Sequence, residues 1–255
     1  MTDVGRVDYD VVDGVATVTL ENAERRNSLT PAMVDDLHRI CDRLHDATDV
    51  GAVVIRGAGG AFCSGLDREV IAVQAADPVS DAGVERAAHV YASFSRFGTV
   101  PMPVIAAVRG AAVGAGLNLA LVTDVRVVAD DARLLAGFTR LGLHPGGGFF
   151  SLAGRSAGRE AAAALGIFGE ELTGRRLYEL GGAWRSVPDA TVEDTAFALA
   201  ARCAVDPDLA RATVRSFRQS VGPPALPHAV AVDLERAPQA WTFRRAGQRN
   251  EGAGT

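Results

Sequence analysis

Two glycine-rich stretches hold the residues whose types and spacing could do chemistry. The first is Gly57-Ala58-Gly59-Gly60-Ala61-Phe62-Cys63-Ser64-Gly65-Leu66-Asp67, directly after the apolar run Ala52-Val53-Val54-Ile55. The second is Arg109-Gly110-Ala111-Ala112-Val113-Gly114-Ala115-Gly116-Leu117-Asn118, directly after Val104-Ile105-Ala106-Ala107-Val108. In each, a short apolar run reads as a buried strand, and a helical pattern follows the small residues. Glycine lets backbone approach a ligand closely, and a helix start leaves its first N–H groups without partners. Two such stations can aim two N–H groups at one oxygen. That is the layout of an oxyanion hole, which stabilises negative charge developing on a carbonyl.

Other groups carry weaker signals. The second station lacks the third glycine of a dinucleotide fingerprint, since position 119 is Leu, and Asp124 comes too early for a ribose-binding acid. Tight helix–strand packing alone would explain its glycines about equally well. Of the five histidines, His144 stands apart, in the loop Leu141-Gly142-Leu143-His144-Pro145-Gly146-Gly147-Gly148. Loops of this make often line sites, and a packing role for the ring is the even alternative. Cys63 has no adjacent base and reads as a small buried hydrophobe. Asp67 opens a helix, where a carboxylate favours the free N–H groups, so capping is its default role. No Gly-x-Ser-x-Gly elbow occurs, which counts against an ordinary hydrolase.

The elements that must position these groups follow from pattern. Residues 7–21 read as two strands around the turn dipeptide Asp13-Gly14. Thr30 caps a helix with Pro31 in its first turn, and Met33, Leu37, Ile40, Cys41 and Leu44 form its apolar face. Strands are expected over 51–56, 122–129 and 133–138. Helices are expected over 66–73 and 81–97, the second with Val84, Ala88, Tyr91 and Phe94 on one face. Further helices are expected over 155–167, 173–180, 192–204, 207–220 and 228–241, with a disordered tail over 248–255. Strands mixed with helices come first and helices follow, which suggests one α/β core with a helical C-terminal extension.

Composition narrows the class. The 255 residues are 48% hydrophobic and 22% charged, as in soluble globular proteins. No apolar run approaches the roughly 20 residues that span a bilayer. The start, Met1-Thr2-Asp3-Val4-Gly5, has no leader pattern, and three scattered cysteines suit neither a disulfide framework nor a zinc site. A cytoplasmic setting, no metal and no membrane partner are expected. A net charge of −5 gives no support to a nucleic-acid partner. All 26 basic residues are arginine, which removes Schiff-base lysine chemistry and a Walker A loop.

Taken together, these motifs resemble the crotonase superfamily, the enoyl-CoA hydratase/isomerase group. The likeness begins at Glu24-Arg25-Arg26-Asn27-Ser28-Leu29-Thr30, continues through Gly59 to Asp67, and is strongest over residues 103–131. The resemblance implies a spiral of β-β-α turns over residues 1–190 with a helical region over 191–255. It implies a homotrimer or a dimer of trimers. It implies an acyl-CoA thioester as ligand, coenzyme A entering with the substrate and no separate cofactor. The oxyanion donors would be the N–H groups of Leu66 and Ala115. Arg26, Ser28, Ala61, Ser64, Gly65, Asp67 and Gly114 would line the CoA and thioester path.

The departures bear on catalysis. Hydratases of this family use two glutamates, at positions that here hold Asn118 and Phe138. Asparagine can orient water but cannot take its proton near neutral pH, and phenylalanine does neither. Some isomerases of the family carry an acid directly after the loop proline; here that residue is Gly146. His144 is the best replacement by location, ahead of Asp67, Glu69 and Arg140. Two readings follow: an enolate-forming enzyme of acyl-CoA metabolism with an unusual acid–base group, or a non-catalytic acyl-CoA binder of the same fold.

Overall fold

The structure is a computed structural model that describes residues 5–222 and 230. The helix expected over 228–241 and the tail over 248–255 lie outside the described residues. The chain opens with β1 (Arg6–Val12) and β2 (Val15–Glu21), an antiparallel pair joined by Asp13 and Gly14. Both turn residues have positive φ (49° and 76°), the requirement of the tight hairpin turn that an Asp-Gly pair favours. Helix α1 (Pro31–Asp46) starts where the sequence predicts: Thr30 accepts the Met33 N–H and Pro31 sits in the first turn. Its face of Met33, Val34, Leu37, Ile40, Cys41 and Leu44 is buried. Each such leucine contributes about 2–3 kcal/mol by leaving water.

Three successive passes then share one plan. Strand β3 (Ala52–Gly57) leads to a bridge at Cys63 and on to helix α2 (Arg68–Ala76), followed by α3 (Asp81–Ser95). Strand β4 (Val104–Val108) leads to β5 (Ala111–Val113) and α4 (Ala115–Val122). Strand β6 (Val125–Ala129) leads to β7 (Arg133–Leu135), and after the loop come α5 (Phe149–Ala157) and α6 (Arg159–Gly166). The first strand of each pass joins a six-stranded sheet, and the second joins a smaller one. Strand β8 (Glu171–Thr173), helix α7 (Gly174–Glu179) and strand β9 (Arg185–Val187) complete the core. The large sheet runs β1-β2-β3-β4-β6-β9, parallel from β2 onward, and the small one runs β5-β7-β8. Strands buried on both faces read as continuous apolar runs, and β4 is buried at every position.

Helices α8 (Val192–Ala204) and α9 (Pro207–Val221) close the described chain, and ion pairs fasten both to the sheet. Glu193 of α8 meets Arg56 (2.5 Å) and Arg109 (3.2 Å), and Asp189 meets Arg109 (2.5 Å). Arg218 of α9 clasps Asp124 through Nε and Nη2 (2.8 and 2.6 Å), while Asp124 also accepts the Val104 N–H.

Two expectations about helices need correction. The helix expected over 155–167 is two helices, broken at Gly158, whose φ of 87° ends the first. The face expected on α3 is buried only in part. Phe94 is buried, but Val84 and Tyr91 are 57% and 42% exposed and Ala88 is exposed. The helix packs instead through Gly83, Ser93 and Phe94, because small residues let it approach its neighbours closely. No helix among the described residues is long and apolar enough to cross a membrane.

Candidate active site

Stacking of consecutive passes brings the two glycine stations together. Cys63 pairs with the strand of the next pass: its N–H donates to Ala111 O (3.0 Å) and its O accepts from Val113 N–H (2.9 Å). Beyond it the chain stays extended, Leu29 N–H donating to Gly65 O (2.8 Å) and Asp67 N–H to Leu29 O (2.9 Å). Backbone groups of an extended chain alternate in direction. The N–H of Leu66 therefore faces away from Leu29, and among the described residues it meets no acceptor. Ala115 is the first residue of α4, so its N–H has no partner within the helix. Gly114 precedes it with φ 53° and ψ −117°, a conformation essentially limited to glycine. At Gly65, where φ is +98°, an added Cβ would stand 2.9 Å from Val113 O and 3.8 Å from Ala115 N. The backbones of the two stations thus run close together at Gly65.

Both stations open onto a cavity of about 330 Å³. Ser64, Gly65 and Leu66 line it from the first station, and Gly114, Ala115 and Asn118 from the second. The remaining wall is mostly apolar, with Ile71, Phe94, Phe138 and Leu143 among its members, and also carries Gln74, Tyr91 and His144. No aspartate, glutamate or arginine among the described residues lines it. Asn118 and Phe138, the positions at which the resemblance implies the two glutamates, both line this cavity. Asn118 is buried. Its Nδ2 donates to Gly146 O (3.0 Å), and its Oδ1 has no partner among the described residues.

His144 also lines the cavity, as its loop position leads one to expect. Its Nδ1 lies 2.7 Å from Pro145 O. A carbonyl only accepts, so Nδ1 carries the proton, and in the neutral ring Nε2 is then the basic nitrogen. Phe150 packs edge-on to the imidazole, with centroids 6.3 Å apart.

The other candidates sit elsewhere. Asp67 caps α2, accepting from Glu69 N–H (3.1 Å), Ser28 Oγ–H (3.0 Å) and Arg25 Nη1 (3.2 Å). Burial pushes its pKa up, but these hydrogen bonds and the Arg25 charge outweigh it and hold the carboxyl below its usual range. Asp67 is a structural cap, and so is Ser28 its buried support. Glu69 is exposed and outside the cavity wall. Arg140 donates to Gly169 O (3.0 Å), outside the cavity wall too. Arg26 is exposed in a left-handed turn, and its carbonyl accepts the Ser64 N–H (2.9 Å). Ala61 is buried, its carbonyl held by Asn27 Nδ2 (2.8 Å). Burial raises the Cys63 thiol to about 12, which rules out a ready nucleophile. Among the described residues no cluster of three or more potential metal ligands exists.

Sequence reasoning missed two residues. Asn27, buried with φ 55°, ties the early segment to the first station by donating to Ala58 O and Ala61 O and accepting the Asn22 N–H. Its positive φ is a hint that only a structure reveals. Tyr91, which the helical spacing placed on one face with Phe94, lines the cavity.

Comparison with known proteins gives the family and the fold. The model of the enoyl-CoA hydratase/isomerase family matches residues 10–246. A probable enoyl-CoA hydratase of Mycobacterium tuberculosis is 37% identical over 230 residues, covering 89% of this chain and 88% of its own. The 1,2-epoxyphenylacetyl-CoA isomerase of Escherichia coli is 33% identical over 239 residues, covering 94% and 90%. A putative enoyl-CoA hydratase from Thermobifida fusca, solved in complex with acetoacetyl-CoA, superposes with a TM-score of 0.81 at 28% identity, covering 94% and 95%. The chain therefore belongs to the enoyl-CoA hydratase/isomerase family and has the crotonase fold.

Proposed function

We propose that the protein binds acyl-CoA thioesters and forms their enolates, with isomerisation favoured over hydration. The observation that carries this reading is that Leu66 and Ala115, one from each glycine station, line one mostly apolar cavity. The thioester oxygen would accept from both donors. An enolate carries its charge on that oxygen, and each donor then contributes about 3–4 kcal/mol to lowering the barrier. His144 is the base: its Nε2 takes a carbon-bound proton and returns it at another carbon. Isomerisation needs only this shuttle. Hydration also needs a carboxylate to activate water, and the lining residues described include none. The ligand class is supported by the acetoacetyl-CoA complex of the Thermobifida fusca relative. No cofactor beyond the coenzyme A of the substrate enters the reading, and the cytoplasm is its proposed setting.

We further propose a homotrimer or a dimer of trimers. Leu209, Phe217 and Val221 of α9 are 40–64% exposed, which supplies apolar surface for subunit contacts. The second reading, a silent acyl-CoA binder, is favoured by the same lack of carboxylates. Purified protein assayed with crotonyl-CoA and a 3-enoyl-CoA, beside a calorimetric titration with a saturated acyl-CoA, separates them. Turnover of the 3-enoyl-CoA that is lost in His144→Ala while binding survives supports the enzyme. Binding with no turnover supports the binder. No binding overturns both.

A further inference from the structure

Burial does not hold the His144 ring. The residue is exposed, in a loop with Gly142, Gly147 and Gly148, all at positive φ (69°, 66° and 78°). Two contacts fix the imidazole instead. Its Nδ1–H donates to Pro145 O (2.7 Å), and Phe150 packs edge-on, with centroids 6.3 Å apart. Phe149 stands against Phe150 in turn, with centroids 5.6 Å apart, and both rings lie over Gly166 of α6. A Cβ built on Gly166 would be 2.5 Å from Phe150 Cε1 and 2.8 Å from Phe149 Cε1. Gly166 lies within a helix and has no positive φ, and alanine is the better helix former. The two rings, not the backbone, exclude a side chain there. Neither Phe150 nor Gly166 belongs to the described lining of the cavity.

We infer that Phe150 is a positioning residue for His144, and that the bare backbone of Gly166 sets where Phe150 stands. A ring held by one hydrogen bond can still tilt about it. An aromatic edge packed against the ring removes that motion and keeps Nε2 in one place. Proton transfer depends steeply on such placement. The contact runs from α6 through α5 to the loop, so a glycine outside the cavity governs a step inside it. Binding does not depend on this brace, because the proposed thioester donors are backbone groups of Leu66 and Ala115. The inference rests on the reading of His144 as the base of an acyl-CoA enzyme.

The test compares the full chain with Phe150→Leu, Gly166→Ala and His144→Ala. Each is melted to confirm folding, titrated with hexanoyl-CoA and assayed with 3-hexenoyl-CoA. Phe150→Leu and Gly166→Ala are each expected to lower kcat about tenfold or more while hexanoyl-CoA affinity stays within about twofold, since misplacing a reacting group by about 1 Å can cost about 10²-fold. In the His144→Ala background, Phe150→Leu should lower the residual rate no further. Native kcat in both folded variants overturns the inference. An equal loss of kcat and affinity overturns it too, as does a further loss in the His144→Ala background, because both mark general packing. NMR of the native protein labelled with ¹⁵N-histidine depends on no variant's folding. One dominant Nδ1–H tautomer of His144, with cross-relaxation to the Phe150 ring protons, is expected; two tautomers without cross-relaxation overturn the inference. No turnover by the native protein, or native turnover in His144→Ala, defeats the base reading and this inference with it. A loss in His144→Ala beside native kcat in the other two defeats this inference alone.

Discussion

Gly65→Ala tests how the two stations are held together. Gly65 has φ +98°, and its added methyl would lie 2.9 Å from Val113 O, a contact with rigid backbone. It would also stand 3.8 Å from Ala115 N, the second proposed donor. A non-glycine residue at positive φ costs about 1–2 kcal/mol. For a chain of this size that lowers Tm by about 2–8 °C. The functional loss should be larger than the stability loss. Moving Leu66 away from Ala115 by a few tenths of an ångström weakens the shared grip on one oxygen, and one lost donor costs about 10²–10³-fold in kcat. Gly60→Ala is the matched control in the same loop, since a Cβ there meets nothing within 4 Å. Both variants go through thermal melts, acyl-CoA titration and 3-enoyl-CoA turnover. A folded Gly65→Ala protein with native affinity and native turnover would refute the reasoning, as would an equal loss in Gly60→Ala.

Other outcomes follow from the same geometry. Asn118→Glu with Phe138→Glu should raise crotonyl-CoA hydration by about 10²-fold or more, the usual contribution of a general acid–base group; a folded, acyl-CoA-binding double variant with no gain shows that the cavity does not admit the water. Asp67→Ala removes the cap of α2 and the partner of Ser28, at a cost of about 1–2 kcal/mol near neutral pH in chemical denaturation. Because the folded-state pKa of Asp67 is lowered, its contribution is full above the unfolded value of about 3.9 and fades as pH falls through the folded one. The gap between native and variant should therefore close in acid, and a gap constant down to low pH counts against the capping network. Cys41 and Cys63, both buried with thiols raised to about 12, should resist alkylation at mildly alkaline pH until the protein is denatured. Rapid labelling of either in the native protein would contradict that burial.

Much of the positioning machinery was legible because its signals are local. Asp13-Gly14, Thr30-Pro31 and the apolar runs before each glycine station depend on neighbours in sequence, and each folds as its pattern predicts. The stations themselves were visible as small residues between a strand and a helix. Their close approach near Gly65 depends on the Cys63–Ala112 bridge, which joins residues far apart in the chain. Tyr91 shows the limit of periodicity. Its spacing on α3 matches a core face, but Gly83 and Ser93 carry the close packing and the phenol is left to the cavity. The break at Gly158 was hidden by the helix-forming residues on both sides of it. Asn27 was hidden in the same way, since its role comes from carbonyls more than thirty residues away.

The central claim is that Leu66 and Ala115 present two backbone donors to a thioester oxygen. Isotope-edited infrared spectroscopy reads this directly, with an acyl-CoA carrying ¹³C at the thioester carbonyl. Two hydrogen bonds polarise the carbonyl, so the bound band is expected at lower frequency than the free one, with a smaller displacement in Gly65→Ala. A bound ligand whose carbonyl band stays at its free position would contradict the oxyanion hole.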